Sequence, residues 1–470
     1  MTQHDIEALT LQQAAGLIKR KEVSPRELTR ACLDRVEQWD GHLRAYITVL
    51  REVALTQAEE TERAVLRGDA LGPVYGVPLA LKDAFAMRGV RTTGGTKVLD
   101  HHVPDYDSAV VERLRQGGAV FLGTLNMHEI AFGVTTANPH YGIARNPWQR
   151  EHIPGGSSGG SGVAVAASLC LGSVGTDAGG SVRLPAALCG IVGLKPTFGR
   201  ISRFGTLPLS LTLDHNGPMT KTVTDAALLL QILAGPDRRD PDCSAKPVPD
   251  YTQALTGEVK GIRIGLPKEY FADAMDEEVR GAVVAAIRLL EGQGATVEEV
   301  SLPHSRYAPA TLVGLAMPEA SANHARYLKT QAHDYGEEVR NLLYMGMLLP
   351  AHRYLQAQRV RALINREIAA ALRTVDVLVL PTAAIPAPKI DQRHVTLGEK
   401  TVNLSAALPR LTLPFNLSGL PAISVPCGFT VNGLPIGLQV AGRAFAEATV
   451  LRVAYAYEQQ TSWHRQRPKL

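Results

Sequence analysis

The sequence predicts an α/β layer fold with a mostly buried sheet, and three stretches carry that expectation. Residues 107–124, DSAVVERLRQGGAVFLGT, read as a helix closed by glycine and followed at once by a strand. Residues 261–303 hold GIRIGLP, DEEVRGAVVAAIRLLEGQG and ATVEEVSLP, a strand, a helix and a strand in succession. VDVLVLP (375–381), AISVPCG (422–428) and PIGLQVAG (435–442) are apolar runs of the kind that a sheet covered on both faces needs.

The remaining elements follow in chain order. Thr10 with Gln13, and Ser24 with Pro25 and Glu27, have N-cap spacing and open two helices before any clear strand. GVPLALKDAF (76–85) is a short apolar strand candidate, GVAVAASL (162–169) a small-residue helix, and TVTDAALLLQILAG (222–235) a capped helix. The stretch 236–260 is either a linker or a long surface excursion within one domain.

A chain of 470 residues suits three domains of about 150 residues, or one large α/β domain with insertions. With 45% apolar and 20% charged residues, general disorder is excluded. The 49 Lys and Arg against 45 Asp and Glu leave +4, spread without a basic block, which gives no positive evidence for nucleic-acid binding. Five cysteines, odd in number and never in a CxxC pair, read as reduced thiols of a cytoplasmic protein rather than a disulfide framework or zinc site. The start MTQHDIEALT lacks a signal-peptide layout and no run reaches 18 apolar residues, so a soluble intracellular chain without a membrane partner is expected.

The chemically loud region is 154–185, PGGSSGGSGVAVAASLCLGSVGTDAGGSVRLP. A flexible linker would not run straight into a small-residue helix and a second glycine cluster carrying Asp177 and Arg183. Phosphate binding lacks both GxxxxGK[ST] and GxGxxG. A GxSxG elbow at 155–159 lacks the preceding strand, since NPWQREHIP reads as loop. The fourth reading pairs serines with a lysine made basic by burial. Lowering a lysine by about three pKa units costs about 4 kcal/mol, within what desolvation supplies. Lys82, at the end of the apolar run VPLAL, is the best placed lysine for this.

GVPLALKDAF, PGGSSGGSGVAVAA and GTDAGGSVRLPAALCGIVGLKPT together resemble the amidase signature family. Lys82 precedes Ser157 by 75 positions (157 − 82), and Ser157 precedes Ser181 by 24 (181 − 157). Similarity extends through NPW (146–148), LDHNGPMTKTVTDAALLL and NLSGLPAISVP. The resemblance implies a single large domain over 1–470, a mixed twisted sheet with helices on both faces. It divides into a helical segment over 1–70, a core over 71–235 with the triad, and a remainder over 236–470 bearing pocket loops.

It further implies that Ser181 attacks an amide, Ser157 relays its proton and also meets the substrate, and Lys82 is the base. The amides of Ala178, Gly179, Gly180 and Ser181 would form the oxyanion hole. A cis peptide is implied between Gly156 and Ser157, and Ala131 and Phe132 would line the acyl pocket. Ser158, Asp177 and Arg183 are taken as structural support, Asp83 as a loop anchor, and His128 and His215 as hydrogen-bonded histidines. No metal and no cofactor are expected.

Two activities fit the resemblance: a free-standing hydrolase of amides, extending to aryl amides, carbamates or esters, and the glutaminase subunit of a tRNA-dependent amidotransferase. The amidotransferase branch usually carries an arginine pair where this chain has Asn341 and Leu342, and an aspartate where it has Pro409. Those departures favour the free-standing hydrolase. The expected partner is then a small-molecule amide, with no nucleic acid, no membrane, and a homodimer as the oligomeric state considered.

Overall fold

Local chemistry sets the first helix ends. Thr10 caps the helix Leu11–Lys19 reciprocally: its Oγ1 accepts from Gln13 N at 3.2 Å, and Gln13 Oε1 accepts from Thr10 N at 3.0 Å. Ser24 and Glu27 repeat the device on the helix Pro25–Leu43, and Asp276 and Thr222 cap the helices Glu277–Gly292 and Val223–Leu233. These features belong to a computed structural model that describes residues 3–69, 72–272 and 274–470. The boundary expected at 70/71 therefore lies outside the described residues.

Fifteen strands follow in chain order among the described residues. They are β1 (Tyr46–Val49), β2 (Pro78–Lys82), β3 (Val120–Leu125), β4 (Ala137–Asn138), β5 (Gly142–Ile143), β6 (Gly172–Thr176), β7 (Val192–Lys195) and β8 (Asn216–Thr220). Then come β9 (Arg263–Pro267), β10 (Thr296–Val300), β11 (Val377–Pro381), β12 (His394–Leu397), β13 (Lys400–Asn403), β14 (Ala422–Phe429) and β15 (Pro435–Gly442). Eleven form one mixed sheet in the order β1-β3-β2-β6-β8-β7-β14-β15-β11-β9-β10. The pairs β3/β2, β2/β6, β11/β9 and β9/β10 are parallel and the others antiparallel. The remaining strands form the ribbons β4/β5 and β12/β13.

The apolar runs are buried on both faces, as their composition requires. Along β11, Val377 and Val379 join one apolar cluster while Leu378 and Leu380 join the other, so helices cover the sheet from both sides. The stretch 236–260 is a surface excursion: Tyr251 within it is fully buried, and Arg200 reaches back to the carbonyls of Lys246 at 3.1 Å and Pro247 at 3.2 Å. No described helix is long and apolar enough to cross a membrane.

The small-residue helix spans Gly159–Ala166, three residues earlier than the sequence suggested, and it ends before Ser168, whose backbone is left-handed with φ 54°. Its glycines allow a close seat. Gly160 N donates to Asn126 O at 3.0 Å, and a Cβ at Gly160 would stand 2.4 Å from Asn126 O and 2.5 Å from Ala45 O. Gly160→Ala is therefore expected to destabilise the chain by about 2 kcal/mol through overpacking against backbone. An unchanged urea midpoint would show that the seat is looser than this.

Candidate active site

Strand β2 is buried at all five positions and ends in Lys82, whose side chain is fully buried. Its parallel neighbour β6 ends in Thr176, and the register pairs Leu81 with Val174. The two strand ends therefore present their last side chains together. Lys82 Nζ lies 2.7 Å from Ser157 Oγ and 2.6 Å from Thr176 Oγ1. Burial brings the Lys82 amine down to about 7 against the opposing pull of Asp214 and Asp177.

Ser157 follows a cis peptide from Gly156 and is fully buried. Its hydroxyl faces Lys82, and the residue is not among those that line the wall of the cavity in front. Ser181 lies on that wall at 8% exposure, in a cavity of about 270 Å³. The two serine loops meet where Ser158 N donates to Ser181 O at 3.2 Å. Among the described residues, no hydrogen bond joins the hydroxyls of Ser157 and Ser181.

The oxyanion-hole expectation needs one correction. Gly180 N donates to Asp177 Oδ1 at 2.7 Å, so that amide is already committed. The amides of Ala178, Gly179 and Ser181 donate to no other described residue, and all three residues line the cavity. Gly180 itself has φ 122°, and a Cβ there would stand 2.3 Å from Thr412 Oγ1. Only glycine fits that turn.

Asp177 and Arg183 form a fully buried pair at 3.0 Å. Burial alone would raise the Asp177 carboxyl, but the adjacent guanidinium holds it well below the usual carboxylate range. Arg183 also donates to Gln439 Oε1 and Asn416 Oδ1 at 2.7 Å each and to Thr412 O at 3.1 Å. Thr412 Oγ1 in turn donates to Gly179 O at 2.7 Å. Ser158 Oγ donates to Thr176 O at 3.1 Å, and Asp83 accepts from Thr93 N at 2.9 Å to fix its loop. His215 is buried with Nδ1 2.7 Å from Leu213 O.

Two neighbours, Thr176 and Asp214, were not singled out from the sequence. Thr176, directly before Asp177 in the second glycine cluster, holds the lysine amine from its second side. Asp214 is pushed up to about 7 by burial and accepts from Leu209 N and Ser210 N at 2.8 and 2.9 Å. His128, read as an ordinary hydrogen-bonded histidine, has Nδ1 3.3 Å from Thr135 Oγ1 and lines the cavity alongside Ala131 and Phe132. Among the described residues, no group of three or more His, Cys, Asp or Glu is placed to hold a metal ion.

The Amidase family model matches residues 27–451. The chain belongs to the amidase family. It is 45% identical to the A subunit of the glutamyl-tRNA(Gln) amidotransferase of Thermosynechococcus vestitus, over 98% of this chain and 99% of that relative. A solved chain from a vestigial protein complex, described with the evolutionary origins of an s-triazine catabolic enzyme, superposes with TM-score 0.93 at 34% identity, covering 98% of this amidase and 100% of that chain. The A subunit of the glutamyl-tRNA(Gln) amidotransferase of Thermotoga maritima superposes with TM-score 0.84 at 35% identity, over 99% and 98% of the two chains.

These relatives overturn one expectation and its corollary. The preference for a free-standing hydrolase rested on three positions, Asn341, Leu342 and Pro409, whereas likeness to one chain of an amidotransferase extends over nearly the whole length. The expectation of a small-molecule amide alone, without nucleic acid, falls with it, because two of these relatives are A subunits of glutamyl-tRNA(Gln) amidotransferases.

The buried lysine has a consequence for stability. Its ordinary value is 10.5 and its folded value about 7, so between those pH values the unfolded chain binds the proton that the folded chain has released. Stability therefore rises with pH across that window. Relative to Lys82→Met, the wild-type amidase is expected to gain roughly 3 kcal/mol between pH 7 and 10. Urea midpoints of both proteins at pH 6 and 9 test this; a difference independent of pH would place the amine in water.

Proposed function

We propose that this amidase is the glutaminase subunit of a tRNA-dependent amidotransferase, releasing ammonia from the glutamine side chain for a partner protein. Full-length likeness at 45% identity to a subunit of that class supports the reading. The geometry of Lys82, Ser157 and Ser181 supplies its chemistry. All five cysteines are free thiols, which supports a cytoplasmic location.

In the proposed reaction Ser181 Oγ attacks the amide carbon while its proton passes to Ser157 Oγ, and the Ser157 proton passes to Lys82 Nζ. A neutral amine has the lone pair to take it, and burial keeps that form populated near pH 7. The amides of Ala178, Gly179 and Ser181 face the developing oxyanion, each worth about 3 kcal/mol in the transition state. On collapse the C–N bond breaks and ammonia departs with the proton returned through Ser157. Water then cleaves the Ser181 ester to glutamate by the same relay. Hydrogen bonds of this kind tighten when substrate is bound, which suits a Ser181 hydroxyl without a partner among the described residues beforehand.

The test is glutamate release from L-glutamine by the chain with its partner subunits and glutamyl-tRNA. We expect release that rises with pH through about 7, as Lys82 loses its proton, and that disappears in Ser181→Ala together with covalent trapping of the acyl group. An assembled complex that releases no glutamate under these conditions would exclude the glutaminase assignment.

A further inference from the structure

The cavity in front of Ser181 poses a recognition problem. Leu342 and Pro409, where the sequence comparison anticipated an arginine and an aspartate, do line the cavity, and they line it with hydrocarbon. Asn341 lies outside that wall on an exposed face of its helix. A glutamine molecule carries an α-ammonium and an α-carboxylate, and leaving both against Leu342 and Pro409 is costly.

Two other wall residues supply the missing charges. Glu338 stands four positions before Leu342 on the helix Glu337–Leu348, so both side chains leave the same face. Arg393 stands on a distant stretch of the chain, immediately before β12. Neither side chain forms an ion pair or hydrogen bond with any described residue, and the two are not paired with each other. Both fields reach His128 on the same wall, Glu338 favouring its charged form and Arg393 opposing it.

The helix start that carries Glu338 is anchored. The buried carboxylate of Glu129 accepts from Gly336 N at 2.9 Å, and also from Thr96 Oγ1 at 2.7 Å. Glu338 is thus presented from a fixed first turn. Resting on the glutaminase reading above, we propose that Glu338 and Arg393 are its specificity-determining pair, holding the α-ammonium and α-carboxylate of an amino-acid amide whose side-chain carbonyl reaches Ser181. Opposite charges kept apart on two elements of one cavity complement a zwitterion; a neutral amide would use neither.

The experiment compares wild type, Glu338→Gln and Arg393→Gln, each assembled with partner subunits. The substrates are L-glutamine and 4-carbamoylbutanoate, which keeps the carboxylate and lacks the ammonium. Both residues are solvent-exposed, and thermal midpoints confirm folding. Glu338→Gln is expected to raise KM for glutamine about tenfold or more with kcat little changed, and to leave 4-carbamoylbutanoate unaffected. Arg393→Gln is expected to raise KM about tenfold for both. Wild-type turnover of glutamine with unchanged KM in both variants overturns the pair while leaving the glutaminase reading intact. A wild-type complex inactive on glutamine overturns both.

Discussion

An amine withdrawn from water and set between two hydroxyls is the interaction on which the rest of this structure depends. Desolvation takes Lys82 down to about 7, and that single effect turns a surface-type cation into a base usable at neutral pH. It demands a strand buried at every position to carry the side chain inward, and a glycine-rich loop to bring Ser157 within 2.7 Å. The fold around the site is shaped by that demand.

Burial alone does not make a base, and the molecule shows why. Lys221 is also fully buried with its amine lowered to about 7, but its partners are the carbonyls of Ile6, Glu7 and Leu9. Lys195, lowered as well, faces the carbonyls of Pro196 and Leu420. Carbonyl oxygens only accept, so those amines are held as donors. The partners of Lys82 are hydroxyls, which accept from the amine but, unlike carbonyls, also carry a proton they can give to its lone pair. A second, separate ionic system does the structural work: Arg183 ties Asp177 to Asn416 and Gln439, residues more than two hundred positions away, and thereby holds the loop of Ala178 to Ser181 still.

The division between scaffold and pocket explains where inference from the sequence went astray. Leu342 and Pro409 do stand in the cavity wall, as their alignment with the charged positions of the amidotransferase branch implied. What did not follow was a change of function class. A wall side chain is replaced without disturbing the sheet or the loops behind it, and charges from Glu338 and Arg393 enter the same space from neighbouring positions. Identity over the full chain weighs the scaffold, whereas the wall positions Leu342 and Pro409 weigh only one route to binding.

Cap residues, apolar periodicity and glycine clusters were legible in the sequence because each acts within a few residues of itself. Thr10, Ser24 and Thr222 close their own helix ends, and the runs of β2, β11 and β15 announce burial by composition. The placement of Lys82, Ser157 and Ser181 in one neighbourhood was legible only through motif order. Thr176 beside the lysine was not, since it depends on β2 pairing with β6 in a register that aligns Leu81 with Val174. Nor was the loss of Gly180 N–H to Asp177, which goes with a φ of 122° at Gly180 in a turn packed against Thr412 from across the fold. Local sequence determines which elements form and which faces they bury. Their packing against one another decides which polar atoms meet, because that choice belongs to the burial of the whole chain and not to any one segment.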